Sequence, residues 1–281
     1  MNSDAYINSD KLNDASWLRI SSQILQRFLI RCGINQSEDR ASLVYRVAEA
    51  FSRIPYENLT KIIKTDAMVT PSSSMRYPDE LISDYLKWGT GGTCFSLTAA
   101  VIAIYNALGI EAHPVLADRY YGPDTHCGLI MVQPKGLLLL DPGYLLFTPV
   151  LLPRLQPVTV HTGYNSVELV PLNNGEKVEF HTVVKGNRKM RLVYKIRPVD
   201  AMTFARAWEE SFKWEMMTYP VLTRVSAGEH QYLQGRKLAV RSAGGTRREE
   251  LSVQMQFDYI AQKMGIHRDI VSKALGVIKN G

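Results

Sequence analysis

The chain has 281 residues, 46% of them apolar, enough for a sizeable core and too many for general disorder. Lys and Arg number 33 against 27 Asp and Glu, and the net charge of +6 is spread along the chain. No dense basic helix or nucleic-acid motif accompanies it, so small anionic ligands are expected as partners and nucleic acid is not.

Three cysteines, Cys32, Cys94 and Cys127, contain no C-x-x-C pair and cannot form a disulfide framework without leaving one over. No apolar run approaches the ~20 residues that span a bilayer. Met1 to Tyr6 lacks a basic-then-apolar signal region, so a soluble cytoplasmic protein with free thiols is expected, with no membrane partner. His113, His126, His161, His181, His230 and His267 show no H-x-x-x-H or H-x-H spacing, which argues against a zinc site.

In chain order, the pattern from Ser16-Trp17-Leu18 predicts a helix with Ile20, Ile24, Phe28 and Leu29 on one face, ended by Cys32-Gly33. Ser37-Glu38-Asp39 should cap a second helix carrying Leu43, Val44, Val47 and Phe51. Pro55 then extends the chain through Arg53-Ile54-Pro55-Tyr56-Glu57-Asn58-Leu59. Another helix begins near Asp79-Glu80 and stops at Gly89. The stretch Thr90-Gly91-Gly92-Thr93-Cys94 follows. It opens a helix of about fifteen residues with Leu97, Val101, Ile104 and Leu108 on one face and Gly109 just past its end. From Ile110 the pattern turns to strands, at Val115–Ala117, Gly128–Val132, Gly136–Leu140, Val158–Val160, Val167–Val170, Val178–Phe180 and Met190–Tyr194. A helix over Asp200 to Lys213, strand-like pieces near Val221 and Lys237–Val240, and helices near Val253–Met264 and Ile270–Ile278 complete the chain.

Cys94 is the chemical centre of this reading. A thiol in the first turn of a helix, after two glycines, meets the positive end of the helix and free N–H groups that can hold an oxyanion. As a nucleophile it needs a histidine base and a group to orient that base. His126 begins a strand, Pro134-Lys135 makes a turn, and Asp141 ends the return strand after four leucines. If Gln133 pairs with Gly136, Asp141 lies opposite Gly128, on the same face as His126. A shift of one residue would separate them. Alternation puts Cys127 on the other face, as packing, and Cys32 at a helix end reads as structural. The plain alternative is that Cys94 is a small core side chain and Asp141-Pro142-Gly143 an ordinary turn.

These residues also resemble a known family, the arylamine N-acetyltransferases. Ile54-Pro55-Tyr56-Glu57-Asn58-Leu59 is similar to that family's Pro-Phe-Glu-Asn-Leu motif, and Gly91-Gly92-Thr93-Cys94 to its Arg-Gly-Gly-x-Cys motif. Thr125-His126-Cys127-Gly128-Leu129 resembles its histidine strand, and Leu140-Asp141-Pro142-Gly143-Tyr144 its Asp-Val-Gly-Phe segment. The resemblance runs from about Phe28 to Tyr144 and continues through Tyr219-Pro220 and Gly235-Arg236-Lys237-Leu238.

It implies an α+β fold with a cysteine-proteinase/transglutaminase-like catalytic core: a helical bundle over 1–109, an antiparallel β-barrel over 110–205 and an α/β lid over 206–281. It implies that Cys94 takes an acyl group from acetyl-CoA or another acyl-CoA and passes it to an aromatic amine, hydrazine or related amine. His126 would be the base and Asp141 its orienter, with no permanently bound cofactor and no metal. Tyr56 would line the pocket or pack under the helix. Thr90 stands where the family has arginine, which leaves Glu57 in need of another partner, with Arg53 a candidate. A transglutaminase-like or amide-hydrolysing enzyme with the same three residues, and a family member that binds without turnover, are the alternatives. The sequence does not give the oligomeric state.

Overall fold

The computed structural model describes residues 18–280 except 69, 215–216 and 243. The helix start expected at Ser16 and Trp17 lies outside the described residues. The first described α-helix, α1, runs Ser22–Cys32, buries Leu25, Phe28 and Leu29, and stops at Gly33 with φ +66°. Helix α2, Arg40–Phe51, is capped by Asp39, whose carboxylate accepts from the Ser42 N–H at 3.0 Å. Helix α3, Leu59–Ala67, was not foreseen, because Pro55 pointed to extended chain through this region. Extension lasts only for strand β1, Tyr56–Glu57. A single turn, α4 (Pro71–Ser74), leads to α5 (Pro78–Trp88), with Asp79 and Glu80 in its first turn and Gly89 at φ +69° behind it.

Helix α6, Cys94–Ala107, is the axis of the bundle. Every residue from Cys94 to Tyr105 is buried, not only the expected apolar face. Leu97, Val101 and Ile104 share a core with Phe28, Val47 and Phe51 of the bundle and with Leu129 and Met131 of the sheet. A helix wrapped on all sides presents no polar face to water, which accounts for its lack of charged residues.

Eight antiparallel strands form a nearly closed barrel in the order β5-β4-β3-β2-β9-β8-β7-β6. They are β2 (Ala112–Arg119), β3 (Gly122–Gln133), β4 (Gly136–Asp141), β5 (Leu146–Leu151), β6 (Val158–His161), β7 (Ser166–Leu172), β8 (Lys177–Val184) and β9 (Asn187–Lys195). Val115, Ile130, Leu139, Leu169, Phe180 and Leu192 fill a core of their own. Strand β5 was not among the expected strands, and it carries Pro149. It is an edge strand, where a missing N–H costs no ladder bond.

Helix α7 (Ala201–Glu210) is capped by Asp200, and a second sheet follows. Its strands are β10 (Val221–Ser226), β11 (Glu229–Gln234), β12 (Lys237–Ser242) and β13 (Gly245–Glu250), and its edge is β1, contributed from far upstream. Helices α8 (Val253–Gln262) and α9 (Arg268–Asn280) cover it, with Ile260 and Val271 packed on Leu222, Leu233 and Leu238. The expected α+β architecture is therefore present. Among the described residues no helix is long and apolar enough to cross a membrane.

Candidate active site

The segment before α6 is held against the Pro55–Asn58 motif. The Glu57 N–H donates to the Gly92 carbonyl at 3.0 Å, and Tyr56 bridges Gly92 in parallel. A Cβ on Gly91 would fall 1.7 Å from the Pro55 carbonyl oxygen, so only glycine lets the two segments meet. Thr93 precedes the helix in extended conformation, and Cys94 is its first residue. The first-turn N–H groups, that of Cys94 among them, have no intrahelical acceptor.

Glu57 is fully buried and receives the Thr60 N–H at 2.9 Å and the Thr60 hydroxyl at 2.5 Å. Its cationic partner is Arg76, 3.7 Å away and itself 4% exposed. Arg76 also donates to the Gly91 carbonyl, to Thr60 Oγ1 at 2.7 Å and to Asp84 at 2.8 Å. The expectation that Arg53 might serve is corrected. Arg53 is exposed and pairs with Glu49 at 3.4 Å, one helical turn back. Arg76 enters from the loop before α5 and reaches both the glutamate and the glycine turn, so Thr90 can be a small buried residue.

His126 and Asp141 meet as the hairpin arithmetic implied. Gln133 pairs with Gly136, and the ladder runs on to Leu129 opposite Leu140. His126 Nε2 lies 3.0 and 2.9 Å from the two carboxylate oxygens of Asp141, and both side chains are fully buried. Asp141 accepts two further bonds, from the Tyr144 N–H at 3.0 Å and from the Tyr194 hydroxyl at 2.5 Å. Tyr194 reaches it because His126 faces Ala117 on β2, and Ala117 faces Tyr194 on β9. The small side chain between them leaves the row open. Burial works against the Asp141 charge, but His126 and the other donors outweigh it and hold the carboxyl below its usual range. Burial and Arg119 also work against a charged His126, and Asp141 outweighs them, raising the imidazole.

Cys94 is buried against this pair. A Cβ on Gly143 would lie 2.7 Å from His126 Cε1 and 2.8 Å from Cys94 Cβ, so the glycine after Pro142 allows the close approach. A hydrogen bond from Cys127 pulls the Cys94 thiol down first. Burial opposes it, and the His126 hydrogen bond and the charges of His126 and Arg119 add to it, leaving Cys94 well below the ordinary thiol range. Cys127 was read as packing, and it lies in the core cluster. Alternation does turn it away from the barrel interior, into the cluster with α6, but α6 is the helix that carries Cys94. Burial and the neighbouring Cys94 push Cys127 up, so it keeps its proton and donates.

Arg119, at the end of β2, was not singled out from the sequence. Its Nη2 donates to His126 Nδ1 at 2.7 Å, which fixes the ring with its proton on Nε2 toward Asp141. Its Nη1 donates to the Tyr121 hydroxyl, and its guanidinium lies 5.2 Å from the ring centre of Tyr144. Tyr144 in turn stands edge-on to His126, centroids 5.0 Å apart. A cleft of about 370 Å³ opens here, lined by Tyr56, Arg119, Gly143 and Tyr144 and, farther out, by Arg191, His230, Tyr232 and Arg241. Tyr56 is buried and lines the cleft. The second sheet supplies a wall of the cleft through Thr223, His230, Tyr232 and Arg241. Arg247, beside the cleft residues in sequence, pairs with Glu249 instead.

Neither a family sequence model nor a curated protein sequence matches the chain. Solved structures do. The arylamine N-acetyltransferase of Mycobacterium marinum in complex with CoA superposes with TM-score 0.77 at 17% identity, covering 91% of this chain and 98% of that one. The enzyme of M. tuberculosis gives 0.74 at 18% identity, covering 89% and 99%. That of Bacillus cereus, with a Cys-His-Glu catalytic triad, gives 0.70 at 17%, covering 88% and 100%. Over about nine-tenths of its length the chain therefore has the fold of the arylamine N-acetyltransferases.

Proposed function

We propose that the chain is a cysteine-dependent acyltransferase, moving an acyl group from acyl-CoA to an aromatic amine, hydrazine or related amine through a thioester on Cys94. The observation that carries this reading is the meeting of Cys94, His126 and Asp141 at a helix start beside an open cleft. The fold it shares with acetyltransferases, one of them a CoA complex, supports CoA thioesters as donors.

In the first half-reaction Cys94 Sγ attacks the thioester carbonyl, the bond to the CoA sulfur breaks, and His126 supplies the proton that the departing thiolate takes. In the second, the amine nitrogen attacks the acyl carbon, the C–Sγ bond breaks, and the amine proton passes to His126 Nδ1. Asp141 holds the imidazole in the required tautomer and balances its charge in both steps. The Cys94 N–H and its neighbours in the first turn are the donors for the tetrahedral oxyanion. Cys32, Cys94 and Cys127 are all free thiols, which suits a reducing, cytoplasmic setting.

Intact mass after incubation with acetyl-CoA tests the reading. An adduct confined to Cys94, discharged by an arylamine, is expected, and Cys94→Ala should abolish it with the fold retained. Ammonia release from glutamine without any acyl-CoA adduct would favour amide chemistry instead.

A further inference from the structure

The cleft is lined by three arginines, Arg119, Arg191 and Arg241, and by no carboxylate. Elsewhere arginines find acids: Arg76 with Asp84, Arg188 with Glu168, Arg236 with Glu250, Arg268 with Asp258. The cleft arginines have only neutral partners among the described residues. Arg191 Nε donates to Thr182 Oγ1 at 2.6 Å, and Arg241 Nη1 to His230 Nδ1 at 2.9 Å. Burial and Arg241 hold His230 down to about 4, so it adds no charge. Arg119 rests on His126 Nδ1 and the Tyr121 hydroxyl, its buried Nε has no partner, and the Cys94 thiolate whose charge acts on it is neutralised once Cys94 is acylated. The acids nearest in sequence, Asp118 and Asp124, are both engaged with Lys195. Guanidinium groups partly withdrawn from water without a counter-charge leave a cleft that an anion completes.

The three arginines differ in depth. Arg241 also borders a second hollow of about 200 Å³ that includes Lys185, Ser242 and Thr246, and so marks the outer end. Arg119 marks the inner end, on the ring nitrogen that handles the reacting protons. The phosphates of CoA are separated from its sulfur by the whole pantetheine arm. They can answer Arg241 and Lys185, but not Arg119, while the thioester carbonyl is at Cys94. An amine acceptor presents its nitrogen, not its far end, to His126.

We propose that the counter-charge of Arg119 is a carboxylate on the acyl group itself, so that the preferred donors are CoA thioesters of short dicarboxylic acids, of malonyl or succinyl length, rather than acetyl-CoA. This rests on the acyltransferase reading above. In the acyl-enzyme the distal carboxylate lies one or two methylenes from the thioester carbonyl and takes the guanidinium off His126 Nδ1. That frees the lone pair to accept the amine proton as the N–C bond forms and the C–Sγ bond breaks. The product is an amide that keeps its carboxylate, and nothing is oxidised or reduced. A neutral acyl group leaves Arg119 on the base and turns over more slowly.

The test uses the full chain. Acylation of Cys94 is followed by intact mass and rapid quench with succinyl-CoA against butyryl-CoA, a neutral donor of the same length, and with malonyl-CoA against acetyl-CoA. Turnover is then compared with 4-methoxyaniline and 4-aminobenzoate as acceptors. A charged-donor preference of at least about tenfold in kcat/KM is expected with both acceptors. Arg119→Gln should bring the ratio near one, Arg119→Lys should retain most of it, and Arg241→Gln should raise KM for all donors alike. Equal use of charged and neutral donors, or a ratio unmoved in Arg119→Gln, overturns the inference alone. A preference that appears only for the carboxylate of 4-aminobenzoate overturns the assignment to the acyl group. Failure of every donor to acylate Cys94 overturns the acyltransferase reading and this inference with it.

Discussion

Arg76 and Glu57 form a buried pair, 3.7 Å apart, with 4% and 0% of their side chains exposed. The pair ties the loop before α5 to β1, and the same guanidinium holds the Gly91 carbonyl. Arg76→Met leaves Glu57 as a buried charge without a cation, and should cost about 3–5 kcal/mol. Urea unfolding measures it. A loss below about 1 kcal/mol would mean that Thr60 alone satisfies the glutamate.

Asp141→Asn should leave the fold nearly intact, because the amide still fits the buried site. The amide cannot enforce a proton on His126 Nε2, so acylation of Cys94 should fall by about 10³–10⁴-fold. Tyr194→Phe removes one of the donors to Asp141 and should cost only about 1 kcal/mol in activation free energy. Single-turnover rates read both, and equal losses in the two variants would argue against the orienting role.

The lowered Cys94 thiol gives a pH signature. Its thiolate is present above the lowered value and is lost as pH falls through it, so alkylation should persist well below the ordinary thiol range. Cys127 supplies the largest lowering influence. Cys127→Ala should therefore move the iodoacetamide rate–pH curve to higher pH, and an unmoved curve would reduce Cys127 to packing.

Lys61 is buried and has no ion pair among the described residues. Its ammonium donates to the Ser211 carbonyl and hydroxyl, both at 2.8 Å, and lies 4.1 Å from the Phe212 ring centre. Burial pulls it down to about 7 from an ordinary 10.5. Between those values the unfolded chain carries a proton that the folded chain lacks, so stability rises with pH across the window, and the cost is complete below it. Lys61→Met should lack this rise. Denaturation at pH 6.5 and 9.5 should show the wild type gaining on the variant, and a constant difference would refute the assignment.

What the sequence disclosed follows from distance along the chain. Cys94 was legible from its glycines and the helix behind it. His126 and Asp141 were legible because a two-residue turn fixes the register of two residues only fifteen positions apart. Tyr194 lies 53 residues from Asp141 and meets it only through a three-strand row with Ala117 in the middle. Arg76, Arg119 and the outer arginines were hidden for the same reason, since no local pattern says where an arginine side chain ends. Helix α3 was missed because Pro55 was read as extending the chain, where the fold uses it at a helix approach, and strand β5, which carries Pro149 at a sheet edge, was not assigned. Strands β11 and β13 are rich in charged and amide side chains and lack the apolar alternation that would mark them.

Strand β1 is two residues long and faces two ways. One side holds Gly92, two residues before the thiol, and the other pairs with Leu222 and Thr223 of β10. During synthesis the bundle and barrel leave the ribosome first, yet the clamp on the Cys94 turn lacks half of its support until residues past 223 emerge. A nascent chain released early would thus carry the thiol, the imidazole and the carboxylate without their final alignment. Competence for acylation should arrive late in translation, with closure of this long-range contact rather than with formation of the helix that bears the cysteine.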